Sequence, residues 1–452
     1  MAFAAYPAPF VFDAPDGRRV QQLIFGDYVR VGSERRGQWV QVDQARNSSG
    51  WMREQDLQDD RILEIGFVDV GQGDACFVVA PDDRRLLIDA GKSDNLARFL
   101  SWRFNLRRNP ERVIHIDDAV ITHPDADHYE GFRPLFESPQ FTFGRVHHNG
   151  IVERAPRPLL GPTAKIDGVT YLTDVVTSRT KLQRLVRDPA AVGAKRYPVM
   201  LRDGLATGRI GDVSMLSAAD RQMPGFNEGP LKIEVLAPVT ERKQSRLLLR
   251  RLGDDGVTKN GHSVVLMLSI GNVRVLLGGD LNHPAQEYLL EHYGAAAPSV
   301  FGADVAKSCH HGSSHFSTDF LRAVNAAATI VSSGDDEPYS HPRPDALGAL
   351  GKYGRGDRPL IFSTELARSA REFTKRPEAL RAAGAPPEAV ERAIAVYGMV
   401  NVRTRREVRR PRPEARTARR ARCGVGRAPA GTSTGRHPDV RRRLNRPYAP
   451  WA

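Results

Sequence analysis

The chain has 452 residues with 26% charged and 40% hydrophobic side chains, which excludes a wholly disordered polypeptide; at roughly 150 residues per domain it suggests two or three folded units. The net charge of +13 belongs to one end: the sixteen Arg of residues 401–452, set against Glu407, Glu414 and Asp439, account for all of it and leave residues 1–400 formally neutral. No run approaches the ~18 consecutive apolar residues of a spanning helix, and the start, MAFAAYPAPF, has neither a basic nor an apolar signal region, so a cytoplasmic protein is expected.

Cys76, Cys309 and Cys423 form an odd set without paired spacing, which speaks against a disulfide framework. Cys309, beside His310, reads as a structural thiol.

In chain order, residues 1–60 alternate short β-type runs with turn signals: Gln21–Phe25, Tyr28–Val31 and Gly37–Val42, then Gly50-Trp51-Met52. This order resembles a bacterial SH3-like domain and implies a small N-terminal β-barrel able to dock a protein partner. From Ile62 the pattern changes. Ile62–Val70 and Ala75–Ala80 read as paired strands, Arg85–Ala90 as a third, Asn95–Trp102 as a helix and Asp118–Thr122 as a buried strand. Further strands are expected at Leu231–Leu236, Ser263–Ile270, Val273–Gly278 and Thr329–Ser332, and helices at Pro284–Tyr293, Thr318–Ala326 and Pro344–Tyr353. Strands interleaved with helices over residues 61–404 point to a layered α/β sandwich. Residues 150–260, with a helical stretch at Ser178–Arg187 and a basic run at Arg242–Arg251, are read as an insert at its rim. Val396–Thr404 reads as a closing strand. Residues 405–452 are basic and low in complexity, read either as a disordered arm for a polyanion or as out-of-frame text of a GC-rich gene.

The chemistry concentrates where Ala119-Val-Ile-Thr122 runs into His123-Pro-Asp125-Ala-Asp127-His128. A buried strand delivers four metal-competent side chains within six residues, imidazole nitrogens and carboxylate oxygens suited to zinc, manganese or iron. Asp89, Asp280, His310, His311 and His341 each follow an apolar strand-like run as well, and in open α/β sheets ligands gather beyond strand ends. A solvated polar loop is the bland alternative, and this recurrence argues against it.

The ordered segments Phe67-Val-Asp-Val-Gly-Gln-Gly-Asp74, Leu87-Ile-Asp-Ala-Gly91, Thr122–His128, Gly278-Gly-Asp-Leu281, His310-His-Gly-Ser313 and Ser340-His-Pro342 resemble the hydrolase domain of ComEC-type competence proteins, a branch of the metallo-β-lactamase superfamily. The resemblance implies an αββα sandwich with two divalent metal ions, zinc or manganese, between its sheets. By it, His123 and Asp125 would bind one ion, Asp127 and His128 the other, Asp280 would bridge them and His341 would complete the second. His148 could supply a further ligand. Asp89 and Asp74 would orient the ligands by hydrogen bonds from behind. His310 and His311 would ligate or contact a phosphate. Asp125 stands where many superfamily members carry His, which hardens the first site toward manganese. No membrane channel is recognisable, so DNA uptake is not implied.

Two adjacent cations lower the pKa of a bridging water and polarise the attacked centre. A dinuclear phosphodiesterase or nuclease is therefore expected, with Asp127 needed for both binding and turnover and His311 or Lys307 protonating the leaving group. The neutral body weakens the nucleic-acid reading, because phosphate-backbone binding draws on clustered Lys and Arg, and leaves a small phosphoester or nucleotide substrate open. A small non-nucleotide ester, amide or thioester, or a non-catalytic partner-binding module with a vestigial metal site, are the alternatives.

Overall fold

The computed structural model describes residues 2–43, 49–334, 339–364, 382–384, 386 and 399–405. The basic tail beyond 405 and residues 396–398 of the expected closing strand lie outside these residues.

Two sheets face each other across one apolar layer. The first has seven strands in the order Ile210–Met215, Phe141–His148, Ile114–Ile121, Arg85–Ile88, Cys76–Val79, Leu63–Phe67, Val400–Thr404. The second has six, in the order Leu231–Ala237, Val265–Ile270, Val273–Leu277, Val305–Lys307, Ala328–Val331, Leu360–Ser363. Side-chain alternation sorts the faces. Ile65, Val78, Leu86 and Ile88 meet Ile233, Leu266, Leu268 and Val275 in the central layer. Phe77, Val79, Leu87 and Ile121 turn outward onto helices carrying Leu96, Phe99, Phe132 and Phe136. On the opposite side Val265, Met267 and Leu276 pack under Leu289, Phe301 and Phe320. The result is an αββα sandwich.

Each sheet combines an antiparallel hairpin with a run of parallel strands: Arg85–Ile88, Ile114–Ile121, Phe141–His148 and Ile210–Met215 in the first, and Val273–Leu277, Val305–Lys307, Ala328–Val331 and Leu360–Ser363 in the second. Parallel strands end on the same side, so the loops after them collect at one rim of the sandwich.

Residues 150–260 are not all rim. Ile210–Met215 and Leu231–Ala237 are outermost strands of the two main sheets, and the Arg196–Ala206 helix buries Tyr197, Met200 and Leu201. Only the four-stranded sheet of Thr163–Ile166, Val169–Leu172, Arg246–Arg250 and Glu241–Lys243 stands apart. In the basic run there, three of five basic residues are paired, Lys243 with Asp167 at 2.9 Å, Arg250 with Glu241 at 3.5 Å and Arg251 with Asp255 at 2.9 Å, while Arg242 and Arg246 are exposed.

Ahead of the sandwich, a five-stranded antiparallel sheet (Phe10–Phe12 to Ser49–Arg53) and a three-stranded one (Ala2–Ala4, Tyr28–Val29, Leu57–Gln58) enclose Ala4, Val11, Leu23, Val29, Val40, Val42 and Met52. Arg403, on the closing strand, ties this unit to the sandwich. It donates to Phe25 O at 2.8 Å and Asp27 Oδ1 at 2.7 Å, and lies 3.6 Å from Glu64 Oε1. Burial alone would raise the Glu64 carboxyl, but Arg103 and Arg403 outweigh it and hold it below its ordinary 4.5. Arg403→Ala is expected to lower stability by about 1.5–3 kcal/mol, the range for hydrogen bonds to charged groups, read as a lower urea midpoint at unchanged slope. The contribution of Glu64 is complete above its unfolded-state pKa and disappears as pH falls through the lower folded value, so the difference between wild type and variant should shrink in acid.

Candidate metal centre

The rim loops deliver their side chains onto one atom. Asp280, two residues beyond Gly278 at the end of the Val273–Leu277 strand, is 2% exposed. Its Oδ2 lies 3.2 Å from His128 Nε2, 3.2 Å from His311 Nε2, 3.9 Å from His123 Nε2 and 4.0 Å from His310 Nε2. His128 Nε2 and His311 Nε2 are 3.3 Å apart, and Asp127 Oδ2 is 3.5 Å from His311 Nε2. Sequence positions 123–128, 280 and 310–311 thus converge. His310 and His311 both adopt left-handed backbone, φ 49° and 53°, which is uncommon for non-glycine residues and typical of functional loops.

Groups behind the imidazoles fix which nitrogen faces inward. His128 Nδ1 is 2.8 Å from Asp89 Oδ2, and the same carboxylate accepts from Thr122 N and Thr122 Oγ1, each at 2.7 Å. His311 Nδ1 donates to Ser332 O at 3.0 Å. With Nδ1 engaged, both rings turn Nε2 to the centre, the nitrogen that could bind a metal once its proton is displaced. Lys307 donates to Gly279 O at 2.9 Å, sits 3.4 Å from Asp280 Oδ1 and contacts Asp74. Burial opposes its charge, but Asp74 and Asp280 raise its pKa. Asp74 in turn, which burial alone would push up, is drawn to about 2 by Lys307 and His311. Lys307 therefore clamps two carboxylates in their ionised form.

The donor set suits a divalent cation. Burial disfavours charge on His128 and His311, yet Asp280 with Asp89 in one case, and Asp280 with Asp74 in the other, drive both imidazoles well above their ordinary pKa. The cluster demands positive charge, which protons supply until a metal displaces them. His123 differs. Burial first, and His128 next, push it down to about 3, and its Nε2 is buried with no hydrogen-bond partner while Nδ1 lies 3.1 Å from Thr122 Oγ1 and 3.3 Å from Ser263 Oγ. A buried nitrogen without a hydrogen-bond partner is one that could hold a metal ion.

Other expected residues stand further out. His148 ends the Phe141–His148 strand beside Ile121; its Nδ1 accepts from Gly150 N at 3.2 Å, its Nε2 is buried without a partner, and burial and His147 bring it down to about 3. His341 faces His310 and His311 with ring centroids 5.6 and 6.2 Å away, and is stacked against the exposed Tyr339. Among the described residues, neither these two nor Asp125 and His310 join the tightest groups of ligand atoms, which are drawn from His123, Asp127, His128, Asp280, His311, Asp74 and Asp89. Cys309 keeps its thiol up at about 12, by burial first, then by Asp280 and Asp74 against the opposing pull of Lys307, as an inert structural sulfur would.

Sequence reasoning missed Lys259, which holds Asp125 and is itself paired with Glu153 at 3.1 Å, and Ser263, whose hydroxyl accepts from Asp280 N at 3.0 Å. It also left the glycines of the 67–74 segment unexplained. Gly73 has φ +104°, and a Cβ there would overlap the Asp127 carbonyl. Asp74 N donates to that carbonyl at 3.3 Å and Ser332 Oγ donates to Gly73 O at 3.0 Å. The segment is a thin wedge joining the 123–128 turn to the second sheet, and at Gly73 only glycine is thin enough.

A two-sheet sandwich with helices outside and a His/Asp cluster at the rim defines the class, and the family comparison agrees. The metallo-beta-lactamase superfamily matches residues 68–330, and the chain belongs to it. The chain is 23% identical over 310 residues to ComE operon protein 3 of Bacillus subtilis (strain 168), a match spanning 64% of this chain and 31% of that relative. The chain therefore covers about a third of that relative's length. Among solved structures, Zn(2+)-bound PqqB from Methylobacterium extorquens aligns at 10% identity and TM-score 0.32, covering 64% of this chain and 85% of that one. A point mutant of the CmlA beta-hydroxylase aligns at 14% and 0.31, covering 69% and 54%. Among the described residues no helix is long and apolar enough to cross a membrane.

Proposed function

We propose that the chain is a metal-dependent phosphodiesterase. The supporting observation is the convergence of His123, His128, His310 and His311 on the single oxygen Asp280 Oδ2, with Asp127 alongside. Divalent cations held there supply Lewis acidity and lower the pKa of water at the site. His123, Asp127, His128, His311 and Asp280 would hold them, with His148 and His341 as outer candidates; zinc and manganese both suit the donors. Asp89 and Ser332 orient the two central rings. Lys307 is assigned a positioning role, since its three acceptors leave it poorly placed to protonate a leaving group. His310, with a side chain 24% exposed at the mouth, is the imidazole placed to meet substrate.

Nucleic acid is the substrate class suggested by the ComEC-like motifs, whereas the neutral charge of residues 1–400 and the pairing of three of the five basic residues in the 242–251 run favour a nucleotide or small phosphodiester. A panel of a chromogenic phosphodiester, single-stranded DNA, RNA, a lactam and a thioester, each with manganese or zinc, tests this. Phosphodiester cleavage that a chelator abolishes and added metal restores is expected. Turnover confined to the lactam or thioester, or none by metal-loaded protein, would overturn it. The N-terminal strands are proposed to dock a protein partner as an SH3-like domain would.

A further inference from the structure

The two halves of the metal centre are built differently, and one lysine accounts for the difference. Ligand atoms around an ion bound at about 2.1 Å stand about 3.0–3.5 Å apart. His128 Nε2, His311 Nε2 and Asp280 Oδ2 stand 3.2–3.3 Å from one another, and Asp127 Oδ2 is 3.5 Å from His311 Nε2. On the other side the spacing is looser, His123 Nε2 standing 3.7 Å from Asp125 Oδ2 and 3.9 Å from Asp280 Oδ2, though His123, His128 and Asp280 still lie close enough together to share an ion. Both Asp125 oxygens are already engaged. Oδ1 is gripped by Lys259 Nζ, which also lies 3.1 Å from Glu153 Oε1, and Oδ2 accepts from Asn260 at 2.7 Å with the amide nitrogen turned toward it. Lys259 is 13% exposed in its side chain, as is Glu153, so its ammonium is fixed in the wall of the site rather than waving in solvent. A lysine ammonium is a compact point charge that repels a second cation; Lys307 stands beside Asp280 Oδ1 but leaves Oδ2 to the imidazoles, whereas Lys259 and Asn260 together occupy both oxygens of Asp125.

Resting on the reading of this cluster as a metal centre, we infer that Lys259 holds Asp125 away from the second metal position, so that the chain binds one divalent ion tightly between Asp127, His128, His311 and Asp280 and a second only weakly at His123. Lys259 is thus a positioning residue, setting how many ions the centre carries.

The test counts metal. Full-length protein loaded with manganese or zinc and dialysed free of excess should retain one ion per chain. Lys259→Met should retain two, with the second binding at least about tenfold more tightly by titration calorimetry. Lys259→Arg, which keeps the cation, should behave as wild type. Should Lys259→Met fail to fold, Asp125→Asn decides: the single ion stays, because Asp125 is not part of the tight group. Two ions retained by wild type, one retained by folded Lys259→Met, or loss of the tight ion in Asp125→Asn would each overturn the inference. Wild type that binds no manganese or zinc at all would instead sink the metal-centre reading beneath it.

Discussion

Replacing Asp280 with Asn is expected to cut turnover of any phosphodiester that the wild type cleaves by roughly 10²–10³-fold or more, the scale of losing one preorganised electrostatic group at a reacting centre. Bound metal should fall with it. The carboxylate touches His128 and His311 at 3.2 Å, is held by Lys307, and carries the negative charge that draws a cation into the cluster. Burial would raise its pKa, but His128, His311 and Lys307 keep it well below the ordinary aspartate value. An amide of the same shape keeps the packing and removes the charge. Elemental analysis and turnover on the same sample check both effects, and unchanged metal with unchanged rate would remove Asp280 from the centre.

The second large effect is expected one step back. Asp89 is 1% exposed and accepts from Thr122 N, Thr122 Oγ1 and His128. Asp89→Ala leaves those groups buried without a partner and should cost about 3–5 kcal/mol of stability, as when one member of a buried pair is removed. Asp89 also has φ +58°, a left-handed conformation that Asn tolerates and Ala does not. Asp89→Asn therefore separates the roles. Its melting temperature should fall less than that of the Ala variant, while metal affinity drops about 10–100-fold because His128 loses the carboxylate that orients it. Equal affinity for Asp89→Asn and wild type would reduce Asp89 to a packing residue.

The fold was legible wherever apolar periodicity was strong. The Leu63–Phe67, Cys76–Val79, Val265–Ile270 and Val273–Leu277 strands and the His283–Tyr293 and Pro344–Tyr353 helices stand within a few residues of their expected bounds. Two strands of the first sheet that escaped notice are polar for a reason. Phe141–His148 carries Arg145, which bonds Asp118 at 2.8 Å, and His147, which bonds the same carboxylate at 3.0 Å, so a buried charge network hides its β pattern. Ile210–Met215 is an edge strand, exposed at Gly211 and Asp212, and half its face has no need to be apolar.

The site was legible in its sequence-adjacent parts, since 123–128 and 310–311 announce themselves by composition. Its distant supports were not. Lys259 lies in a short helix, Asp255–Gly261, where one lysine among charged residues reads as surface; only the fold reveals that it points at Asp125 and Glu153. Ser263 is an ordinary hydroxyl residue 140 positions from His123, and its contact with that ring arises only where the two sheets meet.

The last strand of the first sheet has a kinetic corollary. Val400–Thr404 pairs antiparallel with Leu63–Phe67, so the sheet's border is finished by residues made almost a whole chain later. Bringing such distant segments together is slow, because loop-closure entropy is lost before any contact compensates it. Until the ribosome has passed Thr404, the Leu63–Phe67 border stays open and is the stretch of nascent polypeptide most in need of shielding from intermolecular pairing.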